Sequence, residues 1–236
     1  MSYLDIQSQE VLDQHTRRVS TRPVVRNERQ TKANIWFFDS PKNNRRSIIS
    51  SDLSFMHAVL MEGDVHVASY QMAPDPFFIQ DSGTSKFIHV GARVKLRNGT
   101  EQWLDFRRVE GLSPSKRQAL LKADEMEQQA LAFGVSYHIR TDLELRGQEI
   151  VFDNWLTLCA AITRCRNQTL ARERQAFSQH LARQGAISLA DLIEIEGIDI
   201  ACMTAVIAIS LQQGITNTNL STQLFGLASI IQRSDQ

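Results

Sequence analysis

The chain has 236 residues, and its 26 basic and 26 acidic side chains give a formal net charge of zero. Hydrophobic residues make up 42% and charged residues 22%, proportions that are ordinary for a soluble globular protein. The length is sufficient for one large domain or two small ones, each with its own core. No apolar run reaches the length of a membrane span, which excludes a membrane-spanning protein.

The charges are distributed unevenly along the chain. Residues 13–50 carry nine Lys or Arg against three Asp or Glu, and residues 160–184 carry five Arg against one Glu. Residues 185–236 carry five acids and a single Arg, so the basic surface is expected in the first half and in the middle of the chain. The odd number of cysteines and the lack of a CxxC pair predict buried, apolar cysteines in a reducing compartment; they are Cys159, Cys165 and Cys202. Residues 1–14 contain no apolar segment like that of a secretory signal, so we expect a cytoplasmic protein.

The first elements in chain order combine a basic arm with a strand and a helix. Residues 3–18 are a weak candidate for an amphipathic helix, and residues 19–33 are polar and basic, which is typical of an extended arm. Residues 34–38 have strand composition, and the Pro and Asn residues of 39–44 predict a turn. Residues 52–61 are predicted to form a helix that begins at Ser51 or Asp52 as its N-cap.

A run of strands is predicted next, over residues 65–72, 76–80, 86–96 and 102–109. The pair Asn98-Gly99 between the last two is a strong signal for a β-hairpin. A long helix is predicted from Pro114 to Phe133, with Gly134 after its end, and residues 135–139 have the composition of a buried strand. This order predicts an α+β or α/β domain with a mixed sheet.

The last third of the chain is predicted to be helical. The candidate helices cover 152–166, 170–183, 188–194 and 198–212, and Gly185, Gly197 and Gly214 separate or end them. A unit of this size is compatible with a winged-helix or helix-turn-helix module. The predicted organisation is therefore a helix and basic arm over 1–30, an α/β domain over 31–160 and a helical domain over 161–236.

Four segments in the first half resemble the N-terminal domain of the TnsA-type endonuclease subunit of heteromeric, Tn7-like transposases. They are Phe38-Asp39-Ser40-Pro41-Lys42-Asn43-Asn44-Arg45, Ser51-Asp52-Leu53-Ser54-Phe55, Phe87-Ile88-His89-Val90-Gly91-Ala92 and Trp103-Leu104-Asp105-Phe106-Arg107. Similar segments follow at 62–74 and 132–146, so the resemblance covers roughly residues 30–160. It implies a restriction-endonuclease-like fold followed by a winged-helix domain.

The resemblance also implies a degenerate catalytic site. Members of that family carry an acid on the helix, an acid after the turn and an acid-x-Lys pair on the next strand. The corresponding positions here are Ser54, Gly91 (or Ala92), Asp105 and Arg107. Nucleases of this kind need carboxylates to hold magnesium and a lysine to act on the attacking water, so a single carboxylate predicts an inactive protein with no bound metal or other cofactor.

Basic residues lie where the resembled fold places its cleft. A cleft lined by arginine instead of metal-bound acids would attract phosphate rather than hydrolyse it. The predicted DNA-binding residues are Lys42, Arg45, Arg46, Arg107 and Arg108. The resemblance further implies two protein partners, a DDE-type transposase and an AAA+ regulator. The function expected from these residues is a catalytically inactive TnsA-like protein that binds DNA or assembles with proteins of a mobile element.

Two alternatives remain open from the sequence. An active nuclease could use relocated acids, with Asp105 and Glu101 or Glu62 holding Mg²⁺ or Mn²⁺. A protein-interaction module without DNA binding would suit the neutral overall charge. The histidines His57, His66 and His89 match no zinc-binding spacing, so a zinc site is not predicted.

Overall fold

The computed structural model describes residues 34–81 and 84–234, without the side chains of 77–86. The predicted helix at 3–18 and the basic arm at 19–33 lie outside these residues. The described chain is a mixed α/β structure that divides into two compact units. The first contains the described residues up to Ala58 together with Val67–Leu143, and the second contains Val59–His66 and the chain from Glu144 onward.

The first unit begins with a hairpin that packs on a helix. Strands β1 (Ile35–Ser40) and β2 (Arg45–Ser50) pair antiparallel and are followed by helix α1 (Asp52–Gly63). The ring of Trp36 stacks on that of Phe55 at 4.3 Å, which fixes the hairpin against the helix. The Ser54 backbone N–H donates to Ser51 Oγ at 3.2 Å, so Ser51 is the N-cap.

The main sheet of the first unit is mixed, as the sequence predicts. Its strand order is β3–β6–β7–β8, with antiparallel pairing except between β7 and β8, which are parallel. A separate antiparallel pair, β4–β5, precedes β6. The bounds are β3 Val67–Met72, β4 Phe77–Asp81, β5 Thr84–Ile88, β6 Ala92–Leu96, β7 Glu101–Arg107 and β8 Ser136–Thr141. The predicted Asn98-Gly99 hairpin is confirmed as the turn between β6 and β7, with Gly99 at φ 88°.

Two short helices separate β7 from β8. Helix α2 covers Pro114–Leu121 and helix α3 covers Asp124–Ala132. A small core forms where α3 packs on the sheet; its buried members are Ile88, Val90, Trp103, Ala130 and Tyr137. This core supports the face of β7 that carries the candidate site.

The second unit is mainly helical with a small antiparallel sheet of order β10–β11–β9. After a 3₁₀ turn at Asp142–Leu145, its elements are α4 Glu149–Arg164, α5 Ala171–Gln184, β9 Ala186–Ser188, α6 Leu189–Ile193, α7 Ile200–Gln212, β10 Thr216–Asn217 and β11 Ile230–Arg233. All three cysteines are buried and have free thiols, as predicted. Among the described residues, no helix is long and apolar enough to cross a membrane.

Three predicted elements differ from the structure. The sequence predicts no strand between the turn at 39–44 and the helix at 52–61, but Arg45–Ser50 form strand β2. The predicted strand 86–96 breaks at 89–91 because the Gly91 N–H donates to the Asp105 side chain at 2.9 Å instead of to a strand. The predicted helix 114–133 is two helices, because Lys122 has extended dihedral angles and the Leu120 carbonyl accepts from Arg107.

Candidate nucleic-acid interface

Asp105 lies in the middle of a hydrogen-bond cluster on β7. Its Oδ1 accepts from the Gly91 backbone N–H at 2.9 Å, and its Oδ2 accepts from Arg107 Nη2 at 3.0 Å and from the Tyr137 hydroxyl at 2.8 Å. Arg107 Nη1 also donates to the Leu120 carbonyl at 3.2 Å. The carboxylate therefore connects β7 to the preceding loop and to β8, while its arginine partner holds the end of α2. Both of its oxygens are already engaged by protein donors.

The positions that correspond to the family's second acid have no room for one. A Cβ atom on Gly91 would meet the ring of Phe106 at 2.7 Å and the Leu104 carbonyl oxygen at 3.0 Å. Ala92 is fully buried in the sheet. A carboxylate at either position would be crowded or desolvated at a cost of several kcal/mol, on the order of the penalty for burying an unpaired ion.

The Ser54 hydroxyl belongs to the start of helix α1. It accepts a hydrogen bond from Ser51 Oγ at 3.0 Å, so it takes part in the local N-cap network. His57, one turn further along, is buried, and its Nε2 lies 3.1 Å from the Thr141 carbonyl. Because a carbonyl only accepts, this nitrogen carries the proton and the ring acts as a structural link to the end of β8.

Tyr137 is protonated in this cluster over the whole physiological pH range. Burial raises the pKa of its phenol well above the ordinary value, and the hydrogen bond to the Asp105 carboxylate raises it further. Because its pKa is raised in the folded state, the Tyr137 phenol contributes fully to stability below its ordinary pKa of about 10. This contribution is lost as the pH rises from there through the folded-state pKa. At neutral pH the Tyr137 hydroxyl therefore keeps the proton that it donates to Asp105.

Glu101, the first residue of β7, forms an ion pair with Arg93 on the neighbouring strand. Arg93 Nε and Nη2 donate to the two carboxylate oxygens at 2.8 and 3.0 Å, and Trp103 Nε1 donates to Oε1 at 3.2 Å. The hydrogen bond from Arg93 is the largest cause that lowers the pKa of the Glu101 carboxyl. These two hydrogen bonds fix the orientation of the Arg93 guanidinium.

Glu62, the other acid that the sequence suggests for a relocated metal site, is fully buried in the second unit. Its Oε2 accepts from Gln212 Nε2 at 2.8 Å. Within residues 34–81 and 84–234, no group of three His, Cys, Asp or Glu side chains is arranged to hold a metal ion.

A basic pocket of about 440 Å³ lies between the β1–β2 hairpin and strands β3, β6 and the start of β7 in the main sheet. Four cationic side chains and one carboxylate line it; the charged residues are Lys42, Arg45, Arg93, Lys95 and Glu101. These side chains carry a formal charge of +3. We call this cavity the basic pocket.

Asn43 positions the hairpin turn at the edge of the basic pocket. Its Oδ1 accepts from the Tyr70 backbone N–H on β3 at 2.8 Å, and its Nδ2 donates to Ser40 Oγ at 2.8 Å. One amide side chain thus ties the turn to the edge strand of the sheet. This contact brings Lys42 and Arg45 opposite the cations of β6.

Neighbouring arginines on β2 point to opposite sides of the hairpin, as strand geometry requires. Arg45 lines the basic pocket, and its Nε–H is buried without a hydrogen-bond partner among the described residues. An unsatisfied buried donor costs about 1–3 kcal/mol. Arg46 is 55% exposed and pairs with Asp39 at 2.8 Å, outside the pocket.

The structure brings two of the five predicted DNA-binding residues together, Lys42 and Arg45. Arg107 is held in the Asp105 cluster, and Arg108 is exposed near Asp142. Burial opposes a lower pKa of the Asp142 carboxyl, but hydrogen bonds from backbone N–H groups lower it, and the charge of Arg108 adds to that effect. Sequence reasoning missed Arg93 and Lys95. The signal was present in their i, i+2 spacing just before the Asn98-Gly99 turn, since that spacing puts both side chains on one face of a strand.

No known protein family matches the chain, and no curated protein is similar to it at a significant level.

Proposed function

We propose that this protein is a TnsA-like subunit that binds DNA without cutting it and works within a transposition or other mobile-element complex. The observation that carries this proposal is the basic pocket, where four cations converge around one carboxylate. A concave surface with a formal charge of +3 raises the local concentration of phosphate groups and favours the DNA backbone, independent of sequence. The family assignment itself rests on the resemblance in residues 30–160.

The Asp105 cluster supports binding rather than hydrolysis. In a metal-dependent nuclease this carboxylate would face a divalent ion, but here three protein donors occupy it. Arg107 stands where the resembled family has a lysine, and its guanidinium neutralises Asp105 at 3.0 Å. A substrate phosphate near this position would meet neither a vacant carboxylate nor a lysine that could act on water.

The proposed fold is a restriction-endonuclease-like first unit followed by a winged-helix second unit. Two features support the winged-helix assignment of the second unit. From α5 to β11 the elements follow the order helix, strand, two helices, two strands, and the three strands form a sheet of order β10–β11–β9. In a helix-turn-helix module the second helix reads the major groove through polar side chains. The helix at that position, α7, is apolar and has nine buried residues among 13, so DNA contact is assigned to the first unit.

The second unit is proposed to contact protein rather than DNA. The resemblance suggests a DDE-type transposase and an AAA+ regulator as partners. Five acids against one arginine in residues 185–236 suit a basic protein surface better than a phosphate backbone.

Replacing Glu101 distinguishes this proposal from a nuclease with relocated acids. We expect Glu101→Gln to tighten duplex DNA binding by about two- to fivefold, because it removes the pocket's negative charge with little change in side-chain volume and releases Arg93 from its ion pair. The measurement is a fluorescence-anisotropy titration at fixed salt in the presence of magnesium.

The matched control is Glu127→Gln, which makes the same change of charge at an exposed position on α3. We expect it to leave the affinity within about twofold of the parent protein, since Glu127 does not line the pocket and salt screens an exposed charge. DNA cleavage by the parent that Glu101→Gln abolishes would support the nuclease instead.

A further inference from the structure

We propose that the basic pocket takes a terminal phosphate monoester of a nucleic-acid strand in preference to an internal phosphodiester. This inference rests on the proposed function, since it concerns the same site. It names the part of the DNA that the site selects, namely a phosphorylated strand end.

The charge of the basic pocket favours a dianion. The lining has a formal charge of +3, which one phosphodiester with a single negative charge compensates only in part. A phosphate monoester carries about −1.5 to −2 at pH 7, because its second pKa is about 6. The additional negative charge of the monoester lies among the pocket's cations. Its electrostatic binding free energy in this pocket is therefore more favourable than that of the diester.

The donors of the pocket suit the extra oxygen of a terminal phosphate. Arg45 lines the pocket, so its guanidinium can donate to a ligand oxygen there. The Arg93 guanidinium has a fixed orientation because it donates two hydrogen bonds to the Glu101 carboxylate, at 2.8 and 3.0 Å. Lys95 is exposed and can reach a ligand from the solvent side. A monoester has three terminal oxygens and a diester two, so the monoester can accept more of these charge-assisted bonds.

The size of the pocket also suits an end rather than a continuous duplex. A volume of about 440 Å³ lies in the range of small-ligand sites, roughly 300–1,000 Å³, and matches a nucleotide-sized group. The hairpin turn that Asn43 ties to β3 forms one wall of this cavity. A strand end can place its last phosphate and nucleotide within this volume, whereas an internal phosphate of a duplex contacts the same cations only from the opening.

The test compares DNA molecules of one sequence that differ only at their ends. Short duplexes with 5′-phosphate, 3′-phosphate or hydroxyl ends and a covalently closed duplex of equal length are titrated at constant ionic strength. We expect about tenfold tighter binding of one phosphorylated form than of the hydroxyl form, the equivalent of one charge-assisted contact. The two phosphorylated arms identify which strand end is bound.

Variants decide whether the basic pocket is responsible. Arg45→Gln should abolish the preference for the phosphorylated end, and Arg46→Gln, which alters the opposite face of the hairpin, should keep it. Thermal melting of each variant confirms that the first unit is folded. If the parent protein binds all four DNA forms equally, the preference for a strand end is overturned while DNA binding stands. If it binds none of them, both the end preference and the proposed DNA-binding function are overturned.

Discussion

Replacing Arg45 and Lys95 by glutamine should weaken duplex DNA binding by about 100-fold, and Arg45→Gln alone by about tenfold. Each change removes a cation that lines the basic pocket. A phosphate contact of this kind contributes about 1–3 kcal/mol, and roughly 1.4 kcal/mol corresponds to tenfold in affinity. The effect should be uniform across DNA sequences, because phosphate contacts carry no sequence information.

The salt dependence of the same variants separates a direct contact from a general loss of charge. The slope of log K against log salt should fall by about one for each phosphate contact that is lost. Arg46→Gln is the control, since it removes one charge from the adjacent position on β2 while Arg46 pairs with Asp39 outside the pocket. If Arg46→Gln weakens binding as much as Arg45→Gln does, the basic pocket is not the site.

Replacing Asp105 by alanine should lower the free energy of unfolding by about 2–4 kcal/mol. The change removes an acceptor of three hydrogen bonds, one of them from a guanidinium, and leaves the Gly91 N–H and the Tyr137 hydroxyl without their acceptor. Tyr137→Phe, which removes one of these bonds, should cost about 1 kcal/mol. Urea denaturation followed by far-UV circular dichroism measures both losses.

The control for Asp105→Ala is Asp75→Ala, at an exposed position in the loop before β4. Its unfolding free energy should stay within about 0.5 kcal/mol of the parent value, as is usual for exposed surface positions. A metal-binding role for Asp105 predicts the opposite pattern. Removing one acid from a metal site would leave stability nearly unchanged or raise it, and would eliminate metal-dependent cleavage.

The parts of the fold that depend on local signals could be predicted from the sequence. Asn98-Gly99 marks the β6–β7 turn because both residues accept the backbone angles of a tight hairpin. The N-cap at Ser51 and the buried cysteines also depend on nearby residues or on residue type alone. Strand β2 is not predicted from the sequence because its first three residues, Arg45 to Ser47, are all polar and show no alternation of polar and apolar residues. The alternation appears only in the burial, with Ser47 and Ile49 buried.

The candidate site could be predicted only in part, because its contacts join distant segments of the chain. Asp105 binds Gly91 and Tyr137, which lie 14 and 32 positions away, so its role as a structural acceptor follows from the register of β7 and β8. The basic pocket likewise forms because pairing of β6 with β3 brings Arg93 beside the hairpin turn. The resemblance to TnsA-type subunits stays a prediction.

DNA binding without hydrolysis is the central claim, and one measurement tests it most directly. Labelled duplex DNA is titrated with the protein across a salt series in magnesium and in manganese, and the DNA in each sample is then run on a denaturing gel. The account predicts binding whose affinity falls steeply with salt while the strands remain intact. Nicked or cut strands, or no binding at low salt, would contradict it.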